Sequence, residues 1–326
     1  EVVTLQKATR GKGVNLVFIG DGYSAKDISE GTYLKDMNQQ VKDFFGVEPY
    51  TTYRDYFNVY TAIAMSQESG VGTVNTICHN KFETTFTGGV ALQCNTDEVF
   101  KYALRMPTVT RSNLSQTLIV LTPNTTDYGG ITQLWSDGSA IAITPKSTGE
   151  YPYDSRGIVQ HEAGGHGFGK LGDEYISYND LAPDDLLQEV REGHARQWYL
   201  NLSETGKAYE VPWAHFISHE KYRSVVDVYE GGFGYTRGIY RSEPNSCMSS
   251  YVPYFNAVSR EAIVKRIKQY AGETYSFADF VKNDNMNTGA TGSRSTGYEV
   301  APWNKLSGKP AQNHHEPVIH QGKPRF

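Results

Sequence analysis

The most restrictive feature of the chain is a glycine-rich run that carries two histidines five positions apart. His161 and His166 enclose Glu162 and the adjacent glycines Gly164 and Gly165. Each residue of an α-helix advances by about 100°, so positions five apart point about 140° away from each other, and positions four apart only about 40°. A helix here brings the two imidazoles together only if it absorbs one residue. We predict that it does so by a single π-bulge at the two glycines.

The residue types in this run indicate a metal site. The pattern resembles the zincin motif H-E-x-x-H with one extra residue between the histidines. Two imidazoles on one helix face can bind one zinc ion, and Glu162 between them can act as general base on a metal-activated water. Asp173 and Glu174 follow within reach of a turn and add acidic ligands. The alternative is an ordinary helix with two unrelated histidines, but so many glycines make a poor helix for its own sake.

Composition excludes several other classes of protein. The 326 residues have a net charge of −5 and no cluster of Lys and Arg longer than a pair, which argues against a nucleic-acid-binding protein. No apolar stretch approaches the roughly 18–20 residues that cross a bilayer. Hydrophobic residues make up 38% of the chain and aromatic residues 13%, with 23 Tyr among them. We therefore expect a packed globular protein whose aromatic side chains fill the core and line a cleft.

The hydrophobic pattern predicts an α/β (α+β) protein with a mixed, twisted sheet and helices packed on it. Predicted strands cover residues 16–19, 56–65, 117–121 and 139–144, the last of these an edge strand that ends at Pro145. Predicted helices cover residues 32–45, 97–106, 157–169, 184–202 and 259–271. Residues 283–296 read as a long loop, and the tail to Phe326, which includes His314, His315 and Glu316, reads as extended and solvated.

Three cysteines leave the thiol chemistry open. Cys78 and Cys94 flank a hairpin-sized segment rich in Thr and Gly, where a disulfide and two unpaired thiols are both compatible with the sequence. Cys247 is left over and fits a buried thiol.

Other groups of metal-binding residue types are weaker. His215 and His219 lie four apart but have no second acid at ligand spacing, so we expect them to be surface or core histidines. Asp127, Asp137 and the pair Asp173 and Glu174 offer oxygen ligands to Ca²⁺, yet their spacing does not match an EF-hand loop.

The run His161-Glu162-x-x-x-His166-x-x-Gly169-x-x-x-Asp173-Glu174-Tyr175 resembles the signature of the IgA-peptidase-like zinc metallopeptidases, a metzincin-like family. Further segments resembling that family are Asp21-Gly22-Tyr23, Ser66-Gln67-Glu68-Ser69-Gly70, Glu230-Gly231-Gly232, Gly238-Ile239-Tyr240-Arg241 and Ser246-Cys247-Met248. The resemblance implies a metzincin-like zincin fold. In this fold residues 1–326 form a single catalytic unit, with an active-site helix between approximate lobes 1–170 and 171–326.

The chain departs from the metzincin pattern at the third ligand. The spacing from His166 to the acid is one residue longer than in metzincins, so Asp173, Glu174 and the distant Glu230 are all candidates. We favour Asp173, because a short turn after Gly169 can swing it back to the metal. Glu174 would then orient a histidine from behind the metal site.

Two residues near position 250 also take roles from the resemblance. Met248 resembles the methionine of the metzincin Met-turn, a hydrophobic floor beneath the metal. Tyr251 stands three residues later, where a tyrosine could hydrogen-bond the tetrahedral oxyanion, although the offset is one residue longer than usual.

Together these features predict a zinc-dependent endopeptidase that acts on a protein or peptide. The alternatives are a non-catalytic, zinc-stabilised module that binds a host protein or glycan, and a gluzincin-like exopeptidase with Glu230 as third ligand. An extended substrate is expected to pair with the predicted edge strand 139–144. Export from the cell is expected from the family and from the start at Glu1 rather than Met. The sequence does not indicate an oligomeric state.

Overall fold

The computed structural model describes residues 1–286 and 315–326. The strands are β1 Val2–Gln6, β2 Val14–Asp21, β3 Phe57–Ala62, β4 Thr85–Phe86, β5 Leu92–Gln93, β6 Leu118–Pro123, β7 Ile131–Trp135, β8 Ala140–Ile143, β9 Ile176–Leu181, β10 Leu202–Ser203, β11 Tyr229–Gly232, β12 Gly234–Arg241 and β13 Val318–His320. The helices are α1 Ala25–Ser29, α2 Thr32–Phe44, α3 Thr96–Ala103, α4 Ser155–Ile158, α5 Asp184–Ala195, α6 Ala214–Ile217, α7 Cys247–Ser250, α8 Ala257–Ala271 and α9 Phe277–Asn283, and a π-helix, Val159–Gly169, continues α4.

A seven-stranded sheet in the order β1-β3-β2-β6-β8-β7-β13 forms the centre of the protein. Strands β3, β2, β6 and β8 are parallel neighbours, whereas β1 and β7 run antiparallel to the strands beside them. All eight residues of β2 are buried, as expected for a strand covered on both faces. The mixed α/β (α+β) fold is therefore confirmed.

Each face of the sheet has its own hydrophobic core. Successive strand residues point to opposite faces, so Leu16 and Phe18 contribute to one cluster while Val17 and Ile19 contribute to the other. The first cluster also holds the buried residues of α2, the π-helix and α8, and the second holds those of α3. The π-helix is thus packed between the sheet and α8, which fixes its position from both sides.

The prediction that residues 139–144 form an edge strand is wrong. β8 lies inside the sheet, paired with β6 on one side and β7 on the other. The small residues of β8 do not mark an edge. Ala142 lies against Gly167 of the π-helix and lets that helix approach the sheet closely. Pro145 lies just beyond the strand and does not break its pairing.

The predicted helices are present with shifted ends. The largest difference is in α5, which ends at Ala195 instead of continuing to residue 202. The ring of Tyr199 packs where a Cβ on Gly193 would lie, and the Gly193 carbonyl accepts a hydrogen bond from the Trp198 amide. Both Gln197 and Tyr199 have positive φ angles, which no helix can contain.

A smaller sheet follows the π-helix, with the antiparallel order β10-β12-β11 and β9 paired in parallel with β12. β13 near the C-terminus returns to the large sheet and pairs in parallel with β7. The predicted loop 283–296 lies outside the described residues from position 287 onward. In the described part of the chain, no helix is long and apolar enough to cross a membrane.

The cysteines are all free thiols. The structure therefore holds no disulfide between Cys78 and Cys94, and Cys247 is buried as expected.

Candidate metal site

The two histidines are brought onto one face by the π-helix. α4 is capped by Asp154, whose side chain accepts a hydrogen bond from the Gly157 amide, and the chain changes to π-helix at residue 159. Because π-helical bonding joins residues five apart, His161 and His166 are neighbours along the helix surface. The predicted π-helical distortion is confirmed, but it extends over eleven residues instead of a single bulge.

Two glycines of the π-helix are required by close packing. A Cβ on Gly165 would lie 2.2 Å from Sδ of Met248, and a Cβ on Gly167 would lie 2.7 Å from Cδ1 of Leu118. The absence of side chains at these positions lets α7 and the sheet approach the helix on two sides. The glycines that weaken the helix locally are therefore the ones that allow it to be buried.

His161, His166 and Asp173 converge at one point. The two Nε2 atoms are 3.1 Å apart, and Oδ1 of Asp173 is 3.2 Å from each of them. All three residues are buried, with at most 1% of their surface exposed. Among the described residues they form the one group of three or more His, Cys, Asp or Glu side chains close enough to share a metal ion.

The surroundings of the three residues fit a metal ion. Nδ1 of His161 is 2.9 Å from the Cys247 carbonyl and Nδ1 of His166 is 2.8 Å from the Leu171 carbonyl, so each ring in its neutral form can donate there and leave an Nε2 lone pair for a metal ion. Oδ1 of the buried Asp173 carboxylate faces both Nε2 atoms, and among the described residues no Lys or Arg side chain forms an ion pair with it. Ligands about 2.0–2.1 Å from a tetrahedral zinc are about 3.3 Å from one another, close to the separations found here.

The charges of the group are strongly coupled. Burial opposes the charged form of His166, but the adjacent Asp173 carboxylate raises the pKa of that imidazole to about 9. Burial alone would raise the pKa of Asp173, yet the two imidazoles hold it below its usual value. A proton therefore occupies the group in the metal-free protein, and a metal ion must displace it to bind.

The turn that carries Asp173 is held from several directions. The helix ends at Lys170, whose φ of 54° turns the chain back toward the histidines. The side chain of Asn201 donates to the Gly172 carbonyl and accepts from the Gly172 amide, each at 2.9 Å. The Asp173 carbonyl in turn accepts a hydrogen bond from the Phe233 amide. Asp173 therefore lies on a short turn after Gly169, as we predicted from the sequence.

Glu162 lies beside the group and is fixed by the sheet. The Thr132 hydroxyl is 2.7 Å from Oε2 of Glu162 and 2.9 Å from its main-chain carbonyl. Burial raises the pKa of the carboxyl, while His166, His161 and the Thr132 hydroxyl lower it. Thr132 is missing from the predicted site because β7, the strand that carries it, is not among the predicted strands.

Met248 lies beneath the π-helix, in contact with Gly165. The short helix α7 that carries it is capped by Ser246, whose hydroxyl accepts from the Met248 amide. The same hydroxyl donates to Glu174, and the Met248 carbonyl accepts from the Glu174 amide.

We predicted that Glu174 would orient a histidine, and this prediction is wrong. Its buried carboxylate accepts hydrogen bonds from Asn201, Ser246 and Asn256, while the Nδ1 atoms of both histidines face backbone carbonyls. Burial raises the pKa of the Glu174 carboxyl against these hydrogen bonds. Glu174 holds together the turn that precedes Cys247, and the Cys247 carbonyl then orients His161.

Tyr251 is in direct contact with the site. Its ring stacks on His161 with centroids 4.0 Å apart and an interplanar angle of 7°. Burial raises its pKa well above the usual value, and nearby Tyr128 and Glu162 act in the same direction. The side chain of Tyr128 hydrogen-bonds Tyr251, and the ring of Tyr153 packs beside it at 5.4 Å. Neither of these two tyrosines is distinguished in the sequence from the other 21.

The remaining candidates lie elsewhere. Glu230 is exposed on β11, where its carboxylate accepts a hydrogen bond from the Gly238 amide. Asp127 and Asp137 hold turns, accepting from the Thr125 hydroxyl and the Ser139 amide.

The remaining histidine candidates are also accounted for. His215 pairs with Glu261 at 3.0 Å, and the ring of His219 accepts from the Lys221 amide. His314 lies outside the described residues.

The profile of the IgA Peptidase M64 family matches residues 3–192, which span the chain from β1 through α5 and include both histidines, Glu162 and Asp173. The matched region ends before Met248 and Tyr251. No curated protein sequence matches the chain. Since the matched region covers more than half of the 326 residues, the chain belongs to the IgA peptidase M64 family of metallopeptidases.

Proposed function

We propose that this peptidase is a zinc-dependent endopeptidase with His161, His166 and Asp173 as metal ligands and Glu162 as general base. The observation that carries the proposal is the convergence of two imidazole Nε2 atoms and one carboxylate oxygen, all buried, within 3.2 Å of one another. Two imidazole nitrogens and one carboxylate oxygen form a donor set typical of catalytic zinc, which keeps its fourth position open. Such an ion activates a water molecule and polarises the substrate carbonyl.

The protein contributes the proton transfers. Glu162 takes the proton of the attacking water and delivers it to the leaving amine of the cleaved peptide bond. The Thr132 hydroxyl holds the carboxylate in place for both steps. Because burial favours the neutral acid, the environment of Glu162 makes it basic enough to accept that proton.

We assign Tyr251 to the oxyanion of the tetrahedral intermediate. Its position against His161 and its contact with Tyr128 keep the phenol at the site. Burial keeps that phenol protonated, so it can donate a hydrogen bond as charge develops on the carbonyl oxygen.

The location of Glu230 bears on the exopeptidase alternative. An exposed residue of β11 with a hydrogen-bonded carboxylate is poorly suited as third ligand when Asp173 is already within 3.2 Å of both histidines. The binding-module alternative does not explain Glu162, which zinc binding alone does not require and which the protein nevertheless buries and positions.

The test combines metal content with cleavage. The purified chain is expected to carry about one zinc and to cleave a peptide blocked at both ends, and a chelator should abolish this activity. Glu162→Gln should retain the zinc and lose about 10²–10⁴-fold in kcat. Glu30→Gln, an exposed site at the end of α1, serves as control and should change neither property. Full activity of Glu162→Gln, or a zinc-loaded chain that cleaves no peptide, would refute the proposal.

A further inference from the structure

The C-terminal segment covers the outer edge of β7, the strand that carries Thr132. β13 pairs with β7 in parallel, with Val318 opposite Gln133 and His320 opposite Trp135. The edge of the sheet beside the catalytic residues is therefore occupied by the protein's own chain. An extended peptide that used this edge would have to take the place of β13, because a strand edge pairs with one chain at a time.

Side-chain contacts hold the segment in place. The ring of His320 stacks on Trp135 with centroids 4.6 Å apart, and its Nε2 lies 2.7 Å from Oε1 of Gln133. The His320 carbonyl accepts a hydrogen bond from the Ser136 amide at 2.9 Å. Farther along, Phe326 stacks on Phe100 with centroids 5.2 Å apart. Val318, by contrast, is exposed and adds little burial.

From β13 the segment leads back across the candidate metal site. Continued by one position, the pairing places Pro317 opposite Thr132. A Cβ on Gly234 of the second sheet would lie 3.7 Å from Oε1 of Glu316. The Gly234 amide is itself bonded to the carbonyl of Tyr175, two residues beyond Asp173. Residues 316–317 thus extend from β7 to the start of β12, on either side of the ligand group.

The Glu316 carboxyl interacts electrostatically with the ligand group. Partial burial and the nearby Asp173 carboxylate raise the pKa of Glu316 to about 7. Among the described residues, the Glu316 carboxylate forms no hydrogen bond or ion pair that would hold it elsewhere. Because Asp173 and His166 are among the charges that act on this carboxyl, Glu316 lies near the ligand group.

We propose that residues 315–320 form a self-inhibitory strap, which lowers the activity of the peptidase by occupying the edge of β7 and crossing the ligand group. This inference rests on the proposed function and names its regulation. The strap is built to be displaced, because a parallel ladder of three residues is short and parallel pairing is less stable per residue than antiparallel pairing. A peptide that adds antiparallel to β7 can therefore compete with it.

The experiment uses the full chain loaded with zinc. His320→Ala removes the stack on Trp135 and the hydrogen bond to Gln133, and Val318→Pro removes a β13 amide that faces β7 in this parallel register. We expect each to raise kcat/KM for a blocked peptide by about tenfold. Hydrogen exchange supplies a readout independent of activity, because the Ser136 amide should lose its protection when the strap leaves β7.

Two additions make the result specific. Lys323→Ala changes an exposed residue beyond β13 and is the control, which should match the parent chain in both measurements. A synthetic peptide of residues 315–326, added to the released variants, should inhibit them in competition with substrate.

Three outcomes would overturn the strap. Faster exchange at Ser136 in Val318→Pro without a gain in kcat/KM means that the segment does not block the site. A loss of kcat/KM in both strand variants means that the segment builds the substrate site instead of closing it. If parent and variants all lack peptidase activity with zinc bound, the proposed function itself fails and the strap fails with it.

Discussion

Replacing Thr132 by Val tests how the general base is held. Valine keeps the β-branched shape that a buried strand favours, so β7 and its packing should survive the change. The substitution deletes only the hydroxyl that lies 2.7 Å from Oε2 of Glu162 and 2.9 Å from its main-chain carbonyl. Any effect on turnover then reports the positioning of the Glu162 carboxylate.

The size of the effect follows from the kind of hydrogen bond that is lost. A hydrogen bond to a charged group contributes about 1.5–3 kcal/mol. If the Glu162 carboxylate needs this bond in the transition state, its loss lowers kcat/KM by about 10–150-fold, since each factor of ten corresponds to about 1.4 kcal/mol.

The variant should also change the pH dependence. Burial raises the pKa of Glu162, and the Thr132 hydroxyl is one of the groups that lower it. Without that hydroxyl the pKa rises further, so the carboxylate takes up a proton at higher pH. The acidic limb of the kcat/KM profile should therefore move toward higher pH, which a loss of folding alone would not produce.

The assay is a full pH profile of kcat/KM with zinc content measured on the same samples. Thr122→Val on β6, which is separated from β7 by β8, is the matched control, because that hydroxyl is buried without a hydrogen-bond partner and its loss should leave activity unchanged. Thr132→Ser should restore most of the activity. A Thr132→Val variant with the parent's kcat/KM and an unshifted acidic limb would show that the sheet does not position the base.

Three further outcomes are expected from the packing and charges of the site. Gly165→Ala should lower the free energy of unfolding in denaturant by about 1–3 kcal/mol, because the new Cβ would lie 2.2 Å from Sδ of Met248. An unchanged free energy of unfolding would show that Met248 does not pack against Gly165. Glu174→Gln should cost about 1–3 kcal/mol, because its amide would face buried donors that now bond a carboxylate; the urea midpoint measures this loss. In chelator, thermal stability should fall as pH rises from about 6.5 to about 9, because His166 is protonated over that range only when folded beside Asp173; a flat profile would contradict this coupling.

The sequence predicted the parts of the fold that local pattern controls. The buried run at residues 16–19 became part of β2, and the amphipathic pattern at 32–45 became α2. The edge prediction at 139–144 failed because small apolar residues suit either an edge or a close helix contact. Only the presence of Gly167 against Ala142 distinguishes the two. The end of α5 was missed because it depends on the packing of Tyr199 against Gly193.

The same division holds for the site. The spacing of His161 and His166 by itself required a π-distorted helix if the two rings were to meet, and the glycines between them showed where it could form. Three features came only from the tertiary structure: the burial of the Asp173 carboxylate against both Nε2 atoms, the support of Glu162 by Thr132, and the return of β13 to the edge of β7. Spacing along one helix is a local property that the backbone geometry determines, whereas these contacts join residues far apart in the chain and depend on how the sheets and helices pack.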